Sequence, residues 1–381
     1  MTAVNQPTPA PTPAEAPSTA PKAPAATGSG EPLLDVDDLH VEFHDRLTGT
    51  VVHAVNGLSY RLHAGETLAI LGESGSGKSV AAQAVMGILD SPPARVTRGA
   101  IRFRGTDLLT LPDREHRRLR GDSIAMVFQD ALSALNPVHR VGDQIAEMFE
   151  VHRGMSRKQA RARAVELMDR VRIPSARARA GHYPHEFSGG MRQRVMIAMA
   201  LALEPDVLIA DEPTTALDVT VQAQIMRLLA DLQREMRMGL VLITHDLGVV
   251  ARVADNALVM YAGSVVERAP VRDLYHRPAH PYTRGLLASV PRLDRGAAPL
   301  RPIQGSPPNP AALPDGCAFA PRCPLARDLC RHTRPVLAPP RPGPAAPAAP
   351  SRTPGTPGAP ATAGSPTGRQ AACHFAEETA P

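Results

Sequence analysis

Two patterns of apolar residues alternate along the central part of this chain. "LLDVDDLHVEF" and "VVHAVNGLSYRLH" intersperse apolar with polar positions, as strands of a partly exposed antiparallel sheet do. "TLAILG" (67–72), "VLIAD" (207–211) and "LVLITH" (240–245) are short and almost wholly apolar, the pattern of strands buried on both faces of a parallel sheet. Between them, residues 78–88, 156–172, 189–203 and 219–236 read as helices. This alternation predicts an α/β fold with its chemistry at the carboxyl ends of parallel strands. No internal repeat is visible.

Outside this body the pattern stops. Residues 1–31 are rich in Pro, Ala and Thr, and residues 338–369 hold ten prolines without an apolar period. Both compositions predict disorder, the second as a linker or insertion. The first residues contain no apolar run of the secretory kind. The longest clean apolar run, Val195–Leu203, has nine residues, against about 20 for a membrane span. A cytosolic protein, docked on a membrane through other subunits, is the expectation.

Composition adds little until the lysines are counted. The net charge is +5, and the only lysines are Lys22, Lys78 and Lys158. The basicity is mostly Arg and reads as coding bias rather than as a nucleic-acid footprint. Aromatic content of 3%, with no Trp, leaves few platforms for stacking single-stranded bases. Nine basic residues crowd 151–180, which reads as a solvated helical face more readily than as an anion site.

Lys78 lies in "GESGSGKS", a G-x-x-x-x-G-K-S loop between a predicted strand and a predicted helix. Gly72, Gly75 and Gly77 let the loop curl, with Glu73, Ser74 and Ser76 between them, so that backbone N–H groups face phosphate oxygens. The helix behind adds its positive end. Lys78 is expected to reach the β- and γ-phosphates and the Ser79 hydroxyl to hold Mg²⁺. "DVLIADEP" ends a buried strand in two acids: Asp211 is placed for Mg²⁺, and Glu212 to polarise an attacking water. His245 lies at the strand end in "LITHD", and Gln129 does likewise in "IAMVFQD", where an amide can contact Mg²⁺ or water.

"FSGGMRQR" (187–194) then poses a problem: its paired glycines open a second phosphate-binding helix about a hundred residues after the first. Taken in order, "GESGSGKS", "VFQD", "FSGGMRQR", "VLIADEP", "ALD" and "LITHD" resemble the ATP-binding subunit of an ABC transporter over roughly residues 33–265. The resemblance implies a P-loop NTPase of the ABC type: a parallel core sheet with an antiparallel β subdomain and a helical subdomain. It also implies an answer to the two cradles. Two ATPase subunits would meet head to tail, and Ser188, Gly189, Gly190 and Gln193 would face the nucleotide held by the partner's P-loop. By the same resemblance Glu212 is the general base, His245 a switch histidine, Gln129 the Q-loop glutamine and Asp218 a residue that communicates across the dimer. Phe43 stands where the family stacks an aromatic on adenine, more often Tyr.

"HRPAHPYTRGLLASVP", "GCAFAPRCPLARDLC" and "VFQDALSALNPV" resemble the oligopeptide/dipeptide/nickel branch of ABC importers. The chain then divides into an N-terminal tail (1–31), an ATPase domain (32–268), a branch-specific extension (269–337), the Pro/Ala/Gly insertion (338–369) and an end (370–381). Cys317, Cys323 and Cys330, spaced x5 and x6, are followed after 42 residues by Cys373. Resemblance to branch members with this pattern implies a [4Fe–4S] cluster; zinc and free thiols stay open.

The implied function is ATP hydrolysis driving peptide import, with nickel or another small solute as the alternative cargo. The implied partners are a second ATPase subunit, identical or different, two membrane permeases and, indirectly, an extracytoplasmic solute-binding protein, at the cytoplasmic face of the membrane. A nucleic-acid ATPase or an exporter fits less well, because the chain has neither two ATPase halves, nor a long coiled-coil insert, nor fused membrane spans.

Overall fold

The computed structural model describes residues 30–215, 217–289, 302–340 and 368–379. The expected disorder of the N-terminal tail, and of most of the 338–369 insertion, falls outside those residues. In chain order the elements are β1 (Leu34–His44), β2 (Val51–Leu62), β3 (Thr67–Leu71), α1 (Lys78–Met86), β4 (Ala94–Phe103), β5 (Thr106–Asp107), α2 (Asp113–Leu119), β6 (Ile124–Val127), α3 (Ala131–Ala134), α4 (Val141–Arg153), α5 (Arg157–Arg170) and α6 (Ala176–Arg179). There follow α7 (Gly189–Leu201), β7 (Val207–Asp211), α8 (Val219–Met236), β8 (Gly239–Thr244), α9 (Leu247–Val253), β9 (Asn256–Tyr261), β10 (Ser264–Pro270), α10 (Val271–His276), α11 (Pro281–Ala288), α12 (Asp328–His332) and β11 (Gln370–Ala371).

The first two strands pair as expected, in an antiparallel sheet of order β2-β1-β4-β5. Strict alternation fails at Asp37–Asp38, one residue too many for period two. The chain absorbs it in a bulge: Val36 pairs with Tyr60 but Leu39 with Leu58. Asp38 takes a positive φ of 47° and its N–H donates to the Ser59 hydroxyl. The bulge returns Leu39 and Val41 to the buried face already occupied by Leu34 and Val36.

The second sheet has the order β11-β10-β9-β3-β8-β7-β6. β3, β7 and β8 are buried at every position, which is why their sequences lack alternation. The sheet is not parallel throughout, as the sequence pattern suggested. β9, β3, β8, β7 and β6 run parallel, but β10 and β11 join one edge antiparallel. β9 and β10 are joined by a two-residue turn, Ala262–Gly263, too short for the crossover that a parallel neighbour requires.

A helical layer from α4, α5, α7 and α8 covers one side of β6–β8. In α8, Ile225, Leu228, Leu229 and Leu232 form the buried stripe at helical spacing. The basic run is an ion-paired outer face of this layer: Arg161 meets Asp143 at 2.6 Å, Arg170 meets Glu235 at 3.0 Å and Arg172 meets Asp231 at 2.9 Å. The C-terminal extension packs a separate core of Tyr261, Tyr282, Leu287 and Phe319 against the β9–β10 edge.

Candidate nucleotide site and cysteine module

The glycine loop joins the end of β3 to the start of α1, with Ser74 and Gly75 exposed. Its path needs glycine where the backbone passes other strands. A Cβ on Gly77 would sit 2.2 Å from the Ala54 carbonyl oxygen, at a φ of +96°. One on Gly72 would lie 2.3 Å from the Met260 carbonyl oxygen. The buried Lys78 ammonium donates to the carbonyls of Gly72 (2.8 Å) and Glu73 (2.9 Å) and lies 3.4 Å from the Ser76 hydroxyl. Burial lowers its pKa, while Glu212, Asp211 and Glu73 pull the other way.

The two acids at the end of β7 separate as the sequence suggested. Asp211 is buried and accepts from the Ser79 hydroxyl at 3.0 Å. Burial raises its pKa, Glu212 adds to the rise, and the Ser79 hydrogen bond and Lys78 oppose it. Glu212 turns away at a positive φ of 44°, a strained conformation for a non-glycine residue. Its Oε2 is a hub: Gln129 Nε2 donates at 3.2 Å, the Thr215 hydroxyl donates at 2.9 Å, and His245 Nδ1 lies 3.4 Å away. Thr215 escaped the sequence reading because a hydroxyl after "DEP" has no signature of its own.

Ser188 caps α7 by position, yet its hydroxyl makes no cap bond. Ser188 and Gly189 are exposed. Gly190 faces α8, where a Cβ would approach Val221 Cγ1 to 2.5 Å. Gln193 is buried, with Nε2 unpartnered. Among the described residues, no hydrogen bond or ion pair links Ser188–Gly190 to residues 72–79. Asp218 caps α8, its carboxylate accepting from the Val221 N–H at 2.9 Å. Phe43, near the end of β1, is half-buried and packs on the core behind it.

The four cysteines line one cavity together with His280, Phe319 and Phe375. What brings Cys373 there is a β-bridge: Ala371 N–H donates to the Ala338 carbonyl at 2.8 Å, so the ends of the 338–369 segment meet. The 42 intervening residues therefore do not separate the fourth sulfur from the other three. Burial raises the thiol pKa of Cys317 and Cys323 and pushes that of Cys373 up to about 12. Among the described residues, no three His, Cys, Asp or Glu side chains are arranged to grip a single metal ion.

A P-loop facing paired acids in a mixed sheet, an antiparallel sheet beside it and a glycine-opened helix in a helical layer define an ABC-type ATPase. The ABC transporter family matches residues 55–215, and the C-terminal region of oligopeptide/dipeptide transporters matches residues 266–330. The chain is 52% identical over 305 residues to the dipeptide transport ATP-binding protein DppD of Bacillus subtilis (strain 168), covering 80% of this chain and 90% of that protein. It is 52% identical over 316 residues to the oligopeptide transport ATP-binding protein OppD of Salmonella typhimurium (strain LT2), covering 82% and 93% respectively. A dimeric structure of the bacterial ABC transporter cassette MJ0796 covers 63% of this chain and 99% of its own, at 29% identity and a TM-score of 0.56. This chain belongs to the oligopeptide/dipeptide family of ABC importers, as its ATP-binding, ATP-hydrolysing subunit. As a member of this family it works in an ABC complex with permeases. No helix among the described residues is long and apolar enough to cross a membrane.

Proposed function

We propose that two cassettes close head to tail, so that each ATP lies between the P-loop of one and Ser188–Gly190 of the other. The supporting observation is that Ser188 and Gly189 are exposed and share no hydrogen bond with their own chain's loop among the described residues. A hydroxyl and free first-turn N–H groups suit a γ-phosphate presented from outside. Backbone N–H groups of Glu73–Ser79 and the Lys78 ammonium would cradle the phosphates. Phe43 would stack on adenine, and Asp218, while capping its helix, would face the partner. Ser79, Asp211 and Gln129 would hold Mg²⁺, which when bound neutralises phosphate charge.

Glu212 then does the chain's own chemistry. Its carboxylate takes a proton from water as the water oxygen bonds to the γ-phosphorus and the bond to the β–γ bridging oxygen breaks. Gln129, Thr215 and His245 hold that carboxylate in place. Loss of the shared γ-phosphate contact lets the cassettes part. Two permeases would convert this motion into import of peptides delivered by a solute-binding protein, with the cassettes at the cytoplasmic face. The second cassette would be an identical copy or a related chain.

The cysteine module fits a [4Fe–4S] cluster by its donor set: four thiols around one largely apolar cavity. The cavity measures ≈ 20 Å³, about one water molecule's worth, so the fit rests on donors and not on volume. Cys317, Cys323, Cys330 and Cys373 would be the ligands, and the cluster would tie the extension together.

The pairing reading is tested on Glu212→Gln, which should bind ATP without hydrolysing it. With ATP this variant should pair with its partner cassette in light scattering, and adding Ser188→Arg should abolish pairing while each chain still binds nucleotide. Pairing that survives Ser188→Arg would refute the shared site.

A further inference from the structure

The P-loop is held from outside the ATPase core. Glu73, its second residue, is gripped twice by the C-terminal extension. The Tyr282 hydroxyl on α11 accepts from the Glu73 N–H at 2.9 Å. The Arg322 guanidinium forks onto the Glu73 carboxylate, Nη1 to Oε2 at 2.7 Å and Nη2 to Oε1 at 3.1 Å. Arg322 lies 249 residues from Glu73 in the chain, and its side chain is only 5% exposed. Two further donors are engaged as well. Nε donates to the Gln304 carbonyl at 3.1 Å, and Nη1 lies 3.3 Å from the Tyr261 hydroxyl.

What aims Arg322 is the cysteine module. Arg322 ends a single helical turn, Ala320–Arg322, set between Cys317 and Cys323. The turn is closed by Ala320 N–H to the Cys317 carbonyl (2.9 Å) and Cys323 N–H to the Ala320 carbonyl (3.3 Å). The Cys317 N–H in turn donates to the Cys330 carbonyl at 2.8 Å. Phe319, one residue before the turn, packs its ring 5.3 Å from Tyr261 and 5.4 Å from Tyr282. The backbone that presents three of the four thiols is thus the backbone that points Arg322 at the loop.

We propose that Arg322 is a positioning residue for nucleotide binding, fastening Glu73 of the P-loop to the cysteine module so that an ordered module preorganises the loop. Two physical effects converge on this role. The Glu73 carbonyl is one of the two that carry the Lys78 ammonium, so freeing Glu73 loosens the loop at the point where Lys78 is seated. A loop left free must be ordered when ligand binds, and that cost comes out of affinity. Arg322 also cancels a carboxylate that would otherwise stand bare beside a polyphosphate. The coupling is reciprocal: what orders the module tightens nucleotide binding, and nucleotide tightens the module by the same factor.

This inference rests on reading Gly72–Ser79 as the nucleotide loop, and the experiment keeps the two apart. Affinity for a fluorescent ATP analogue with Mg²⁺ is measured by equilibrium titration on the full chain. Wild type that binds and Lys78→Ala that does not establish the loop reading by themselves. Arg322→Gln should then weaken binding about tenfold, a typical size for a directly coupled pair. Arg322→Lys, which keeps the charge but loses the fork, should fall between. Glu73→Gln should weaken it less, because no bare carboxylate remains. The double variant should be no weaker than Arg322→Gln alone. In the assembled importer the loss should appear in KM, with kcat at saturating ATP within about threefold.

Nucleotide should also slow hydrogen exchange at Phe319–Cys323 in wild type and not in Glu73→Gln. Should Arg322→Gln misfold, Glu73→Gln decides alone, since Glu73 lies outside the module. Unchanged affinity in Glu73→Gln, singles whose effects multiply in the double variant, or exchange at Phe319–Cys323 that ignores nucleotide would each overturn the proposal.

Discussion

Thr215→Val isolates one bond at the hydrolytic centre. The Thr215 hydroxyl donates to Glu212 Oε2 at 2.9 Å, shorter than the contacts from Gln129 (3.2 Å) and His245 (3.4 Å). Valine keeps the branched shape and removes only the donor. Thr215 is exposed, so no cavity forms and the fold should not change. A hydrogen bond to a charged group contributes about 1.5–3 kcal/mol. Glu212 is partly solvated, with its side chain 16% exposed, and keeps its other neighbours. A loss at or just below the bottom of that range, about 1–2 kcal/mol, is therefore expected. If it is lost only when the carboxylate must be aimed at water, kcat falls about 5- to 30-fold with KM unchanged. The assay is steady-state ATP hydrolysis by the assembled importer, with the denaturant midpoint of the isolated chain as a control for folding. Thr215→Ser restores the donor and should recover most of the rate. A kcat within twofold of wild type for Thr215→Val, or a Ser variant no better than Val, would refute the claim that this hydroxyl holds the base.

Lys78→Ala should lose nucleotide binding in the same titration; unchanged affinity would remove the phosphate cradle. Glu212→Gln should bind ATP normally and hydrolyse it at least a hundredfold more slowly, as expected when a general base is removed; wild-type turnover would remove the proposed base. Gly77→Ala must place a Cβ against the Ala54 carbonyl at positive φ, so its denaturant unfolding free energy should drop by about 2–4 kcal/mol; a drop under about 0.5 kcal/mol would show that the loop yields. Cys373→Ser should lower the iron and acid-labile sulfide recovered with anaerobically purified protein; equal recovery would exclude Cys373 as a ligand.

Whatever rests on local periodicity and fixed short spacing could be read along the chain before any contact was known. The uniform burial of β3, β7 and β8 was legible because a strand covered on both faces carries mostly apolar side chains along its length. The P-loop was legible because glycines, lysine and serine at set intervals leave the chain few other uses. That Asp211 and Glu212 diverge was legible from their place at a strand end, although the turn that parts them is a positive φ at Glu212, just past the strand. Tertiary structure decided what depends on chain segments meeting. Strand direction at the β10 edge follows from a two-residue turn, which apolar content does not encode. Thr215 acts through one hydrogen bond and Arg322 through a two-bond fork, and no spacing rule records the geometry of either. The fourth cysteine reaches the other three because Ala338 and Ala371 pair across a segment whose composition says nothing about where its ends go. Periodicity reports which face of an element is buried. Contacts between residues hundreds of positions apart come from how the layers stack, and only folding sets that.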